Sequence, residues 1–186
     1  MQRAASRALA IVAACGLGMT FGAEARAETL QVLVPHAVKT LCPDLMEIET
    51  PLAEEESVKE LGFKAEATQQ HARMGTLDVV SLDADDGRIW LANSRVASFC
   101  QVASFCQVGF EGPGAKTAFD TMLEDRVSLD NTLVPDTVTS PNENMQLVSL
   151  RTPTIDNIFY GVQFMDASAL DSEAPFIIQQ YLLQED

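Results

Sequence analysis

Residues 96–108 read VASFCQVASFCQV, and this stretch decides how the rest of the chain is understood. The six residues 96–101 recur unchanged at 102–107, and Val108 begins a third copy that goes no further. One exact tandem copy is a local duplication and not a solenoid, whose repeats are longer and more numerous. The unit is rich in β-branched and aromatic residues, so it predicts a strand. Side chains in a strand alternate between faces, and an insertion of even length preserves that alternation. Val96, Ser98, Cys100, Val102, Ser104, Cys106 and Val108 then share one face, with Ala97, Phe99, Ala103 and Phe105 on the other. Strands usually run about 3 to 10 residues, so one copy is expected to bulge or to leave the sheet.

The duplication also explains the cysteine count. Cys42, Cys100 and Cys106 follow the N-terminal segment, and removing one copy of the repeat leaves two cysteines. The expected bond joins Cys42 to Cys100 or to Cys106, with the other thiol left over. Closing so long a loop stabilises the fold by roughly 3 to 4 kcal/mol on the chain-entropy account. A bond between Cys100 and Cys106 is disfavoured, because an extended strand sets their Cα atoms roughly 20 Å apart. A metal site lacks C-x-x-C spacing and a neighbouring histidine.

Cys15 belongs to a different feature. Arg3 and Arg7 precede the uncharged run ALAIVAACGLGMTFGA, which leads to Ala25-Arg26-Ala27, an A-x-A pattern. This order predicts a secretory signal peptide over residues 1–27, cut before Glu28. The run falls short of the roughly 20 residues needed to span a bilayer. Val12-Ala13-Ala14-Cys15 resembles a bacterial lipobox, which would lipidate Cys15 and anchor the chain instead.

The full chain carries 12 basic and 27 acidic residues, a net charge of −15. Cleavage after Ala27 leaves 9 and 26, a net charge of −17. Such a chain repels phosphate backbones and anionic membranes, which argues against nucleic acid as a partner. The remaining residues suit one domain, with DTVTSPNEN (136–144) too short a linker to separate two.

Apolar spacing predicts helices over 35–46, 51–61 and from Ala115 to Leu123, with Gly62 ending the second. DVVSL and RIWLA read as a hairpin about DADDG, and MQLVSLR with NIFYGVQFM as a later pair joined through Pro153. FIIQQYLL fits either strand or helix. The expected class is α+β: one small domain with an antiparallel sheet and helices packed on one face.

No catalytic or cofactor motif emerges. GFEGPGAKT lies between strand and helix like a phosphate loop, but Ala115 separates Gly114 from Lys116. Asp83, Asp85 and Asp86 invite calcium, yet Gly87 falls where a ligand should stand, and a hairpin turn accounts for them. His36 and His71 have no acid or thiol at ligand spacing. The leading expectation is a non-catalytic periplasmic or secreted domain that binds an envelope protein or a small ligand, without cofactor or metal. The alternatives are a small exported hydrolase, built on a histidine or clustered carboxylates, and a subunit anchored through Cys15.

Overall fold

The computed structural model describes residues 28–46, 50–66, 69–71, 75–94, 102–138, 140, 142–170 and 175–184. The proposed signal segment, with Cys15, Ala25 and Ala27, lies outside these residues, as does the whole first repeat copy with Cys100.

Among the described residues, nine strands make one antiparallel sheet: β1 (Lys64–Ala65), β2 (Gln69–His71), β3 (Gly75–Ala84), β4 (Gly87–Ser94), β5 (Val102–Glu111), β6 (Val134–Pro135), β7 (Gln146–Arg151), β8 (Ile158–Asp166) and β9 (Phe176–Gln184). Their order is β1-β3-β4-β5-β9-β8-β7-β6, with β2 also on β3. Two meanders, β3 to β5 and β6 to β8, are therefore joined by β9, the last strand in sequence. FIIQQYLL is a strand because it lies between β5 and β8 and pairs with both.

The helices are few and short, so the protein is mostly sheet. They are α1 (Leu30–His36), a π-helical turn (Ala37–Leu41), α2 (Cys42–Leu45), α3 (Glu56–Glu60) and α4 (Ala115–Glu124). The first helical run begins five residues before the expected 35, because Leu30, Leu33 and Val34 are buried and Pro35 is accommodated inside α1. The helix expected over 51–61 is broken: a 3-10 turn (Leu52–Glu54) precedes α3, and Glu55 between them is extended, with ψ 131°. Gly62 ends it as expected, in the left-handed region at φ 85°.

The π turn has an identifiable cause. The N–H of Cys42 bonds to the carbonyl of Ala37, five residues back. The same spacing would ask residue 43 to serve the Val38 carbonyl, and Pro43 has no N–H. The Gln180 amide on β9 donates to that carbonyl instead. Asn93 on β4 donates to the Leu45 carbonyl at 2.6 Å, and Ser104 on β5 donates to that of Met46. Asn93, Cys106 and Gln180 are direct register partners across β4, β5 and β9. Between the two amides, the Cys42 and Cys106 sulfurs stand at disulfide distance, with Cα atoms 5.4 Å apart.

The second repeat copy therefore occupies the sheet, with a register irregularity between Val102 and Ser104. The flanking residues explain the choice. Sliding β5 by one repeat would put Ser104 where Phe110 stands, and Phe110 is fully buried, with its ring stacked on Phe176 at 6.0 Å. The expected alternation holds: Cys106 and Val108 enter the main core, while Phe105 enters a second, smaller cluster with Leu77, Phe159 and Tyr181. That main core also takes the buried residues of α1, α2, α3 and α4, including Phe119, which packs 5.3 Å from Phe176.

Replacing either amide should leave a buried helix carbonyl without its donor, at about 1 to 3 kcal/mol. Gln180→Leu and Asn93→Leu are each expected to lower the unfolding free energy from urea titration by that amount, whereas the exposed Gln184→Leu should change it by under about 0.5 kcal/mol.

Candidate functional site

The residues that the sequence marked for phosphate or cation chemistry take part in structural contacts. Asp85 and Asp86 form the two-residue turn between β3 and β4. The Asp86 carboxylate accepts the backbone N–H of Leu30 at 2.7 Å, at the start of α1. Its backbone carbonyl accepts the N–H of Gly114 at 3.0 Å, just before α4. A side chain at Gly114 would meet that same carboxylate at 1.8 Å, so one aspartate sits against two helix starts. Lys116, the residue of phosphate-loop interest, is paired with Asp120 on the surface of α4. Gly112, at φ 109°, brings this loop against the turn: an added Cβ would lie 2.5 Å from the Cα of Gly87. His36 is exposed at the end of α1, and His71 ends β2. Among the described residues, no three His, Cys, Asp or Glu side chains are grouped to hold a metal ion, and no helix is long and apolar enough to cross a membrane.

Among the described residues, polar side chains gather in two regions of the sheet. The first is a cleft of about 650 Å³ beside β1 and β3, lined by Glu60, Lys64, Glu66, Ser81, Asp83 and Arg88. Ser81 donates to Glu66, and Arg88 donates to the same carboxylate oxygen at 2.6 Å and to the Ser81 hydroxyl at 2.9 Å. The arrangement superficially suggests a nucleophile and its base. The carboxylate oxygen that would serve as base already accepts from Arg88, however, and Ser81 is 4% exposed. The cluster works better as a brace: the Arg88 guanidinium stands 5.3 Å from the centroid of Trp90, within cation–π range.

Trp90 opens the second region, the middle of the sheet on the side opposite Cys106. Register places Trp90, Gly109, Ile177, Met165 and Leu147 in one row across β4, β5, β9, β8 and β7. The adjoining row is Ala92, Gln107, Gln179, Gln163 and Ser149. Trp90, Ile177, Met165, Leu147 and the three glutamines are half-buried. The next row contains Phe105, Tyr181 and Gly161. The Tyr181 ring lies over Gly161, where an added Cβ would come within 2.3 Å of it, and meets Phe159 edge-on at 6.3 Å.

Sequence reading marked none of these face residues. The signal available to it was the pair of glutamines in β9, of which Gln180 turns to the helix and Gln179 to the open side. Comparisons with family models, with curated proteins and with solved structures find no match for this chain.

Asp86→Ala should lower the thermal midpoint by several degrees, for a loss of about 1 kcal/mol at the turn, measured by calorimetry. Added calcium should not restore it. The chain's two tyrosines supply a second check. Burial pushes both phenols above their ordinary value; the Asp130 carboxylate adds to this at Tyr160, while the neighbouring polar side chains of Ser149 and Gln163 partly offset it at Tyr181. A raised phenol favours the protonated fold. Its contribution is complete below pH of about 10 and declines as pH rises beyond, where the unfolded chain ionises first. Alkaline titration at 295 nm should find no phenolate forming near pH 10 in the folded protein, and both forming there in urea.

Proposed function

We propose that this chain is an exported, acidic, non-catalytic binding domain, periplasmic or secreted, which engages its ligand through the mid-sheet face around Trp90 and Gln179. The observation that carries the reading is that face: two adjoining rows without a charged residue, seven of their ten positions half-buried, in a chain of 27 acids and 12 bases. We read the layering as α+β, with the helices covering the Cys106 side and leaving the Trp90 side for a partner. The buried helical residues sharing one core with Cys106, Val108 and Phe110 support this. Export is supported by the charge and apolar order of residues 1–27 and by a cysteine pair suited to an oxidising compartment.

The anchored alternative depends on Cys15, and metabolic labelling with a fatty-acid probe separates it from a soluble product. The hydrolase alternative is built on a histidine or clustered carboxylates; the serine–carboxylate pair in the cleft, Ser81 and Glu66, is hydrogen-bonded with Arg88 in a way that favours bracing over catalysis.

The full chain, expressed in a Gram-negative host, should release a periplasmic product whose N-terminus is Glu28. Immobilised, that product should retain a ligand from its native envelope fraction, and Trp90→Ala should weaken retention about tenfold with an unchanged thermal midpoint. Retention of the uncleaved chain in the cytosol contradicts export, and equal binding by Trp90→Ala contradicts the site.

A further inference from the structure

We propose that the mid-sheet face binds an uncharged glycan, a polyhydroxylated chain laid across the strands over Gln107, Gln179 and Gln163. The proposal rests on the reading that this face is the binding site, and it names the ligand class. Strand spacing sets neighbouring amides about 5 Å apart, so the three span roughly 10 Å in a straight register row. An amide offers two donors and an acceptor at one tip, matching hydroxyls that each donate and accept. Among the described residues, no hydrogen-bond partner holds the side chains of Gln107 or Gln179, so both amides are available. Gln163 stands beside the hydroxyl of Tyr181.

Charge narrows the class. A net charge of −15 repels anionic polymers, and the ten positions of the two central rows carry no cation to offset it. Acids and bases stand at the margin instead, in the Glu66 and Arg88 cluster at one end and at Arg151 in the Tyr181 row. A cationic partner would find no carboxylate in the middle of the face. What remains is a neutral, hydrogen-bonding ligand with an apolar side, and pyranose rings have both a rim of hydroxyls and a C–H face suited to an aromatic surface. Trp90 flanks the amide row, and the Arg88 brace reduces the freedom lost when a ligand arrives.

Trp90 is the only tryptophan in the chain, so its emission reports directly on this face. The mature protein would be titrated with maltohexaose, cellohexaose, laminarihexaose and mannohexaose, and with heparin as the anionic contrast. A saturable emission change with at least one neutral hexaose, none with heparin, and at least tenfold weaker binding by Gln179→Ala and Gln107→Ala at unchanged thermal midpoints is expected. No response to any neutral glycan, or binding indifferent to both alanines, overturns the proposal. If an envelope protein is instead retained and lost with Trp90→Ala, the glycan assignment falls while the binding face stands. If nothing retained depends on Trp90, both fall.

Discussion

Three side chains in one register row, Asn93, Cys106 and Gln180, hold the helical run against the sheet, and much of the remaining architecture follows from that grip. The amides satisfy carbonyls at Leu45 and Val38, and the cysteine faces Cys42 between them. The row is well placed for this because its three strands lie at the centre of the sheet. β9 arrives last in sequence and is inserted between the two meanders. Gln180 therefore acts only once the chain's final strand is in place, linking the helical run at the start of the described chain to its end. On loop-closure grounds, a bond spanning 64 residues restricts the unfolded chain by about 4 kcal/mol.

The same grip rationalises an unfavourable-looking sequence. Pro35 and Pro43 stand in one short helical run, where each removes a backbone donor. The π turn absorbs the disturbance, and the amide of Gln180 replaces the donor that Pro43 lacks at Val38. At the other end of the run, Asp86 holds the N–H of Leu30 from the β3–β4 turn. Both ends of an intrinsically weak helix are thus held by the sheet, and its stability is tertiary in origin.

How much was legible in the sequence depended on whether the deciding partner was local. The β3–β4 hairpin, α4 and the later strand pair follow from periodicity and turn residues that lie within each segment. The antiparallel sheet was foreseeable for the same reason, although the helical share was overestimated because Glu55 interrupts 51–61. The identical repeat copies gave no basis for choosing between Cys100 and Cys106. The choice depends on Phe110 and its stacking on Phe176, which are remote in sequence from each other. The π turn depends on Gln180, equally remote. The amide row was hidden for a further reason: Gln107, Gln163 and Gln179 come from three strands, and only the pairing register sets them side by side.

A single digest tests the grip most directly. Chymotrypsin cleaves after Phe99 and Phe105, so once free thiols are alkylated, a non-reducing digest at pH of about 7 separates Cys100 from Cys106. The Cys42 peptide should be linked to the one that begins at Cys106, with Cys100 recovered as the alkylated thiol. Linkage of Cys42 to Cys100, or an even mixture of the two, would contradict the register that sets Cys106 between Asn93 and Gln180.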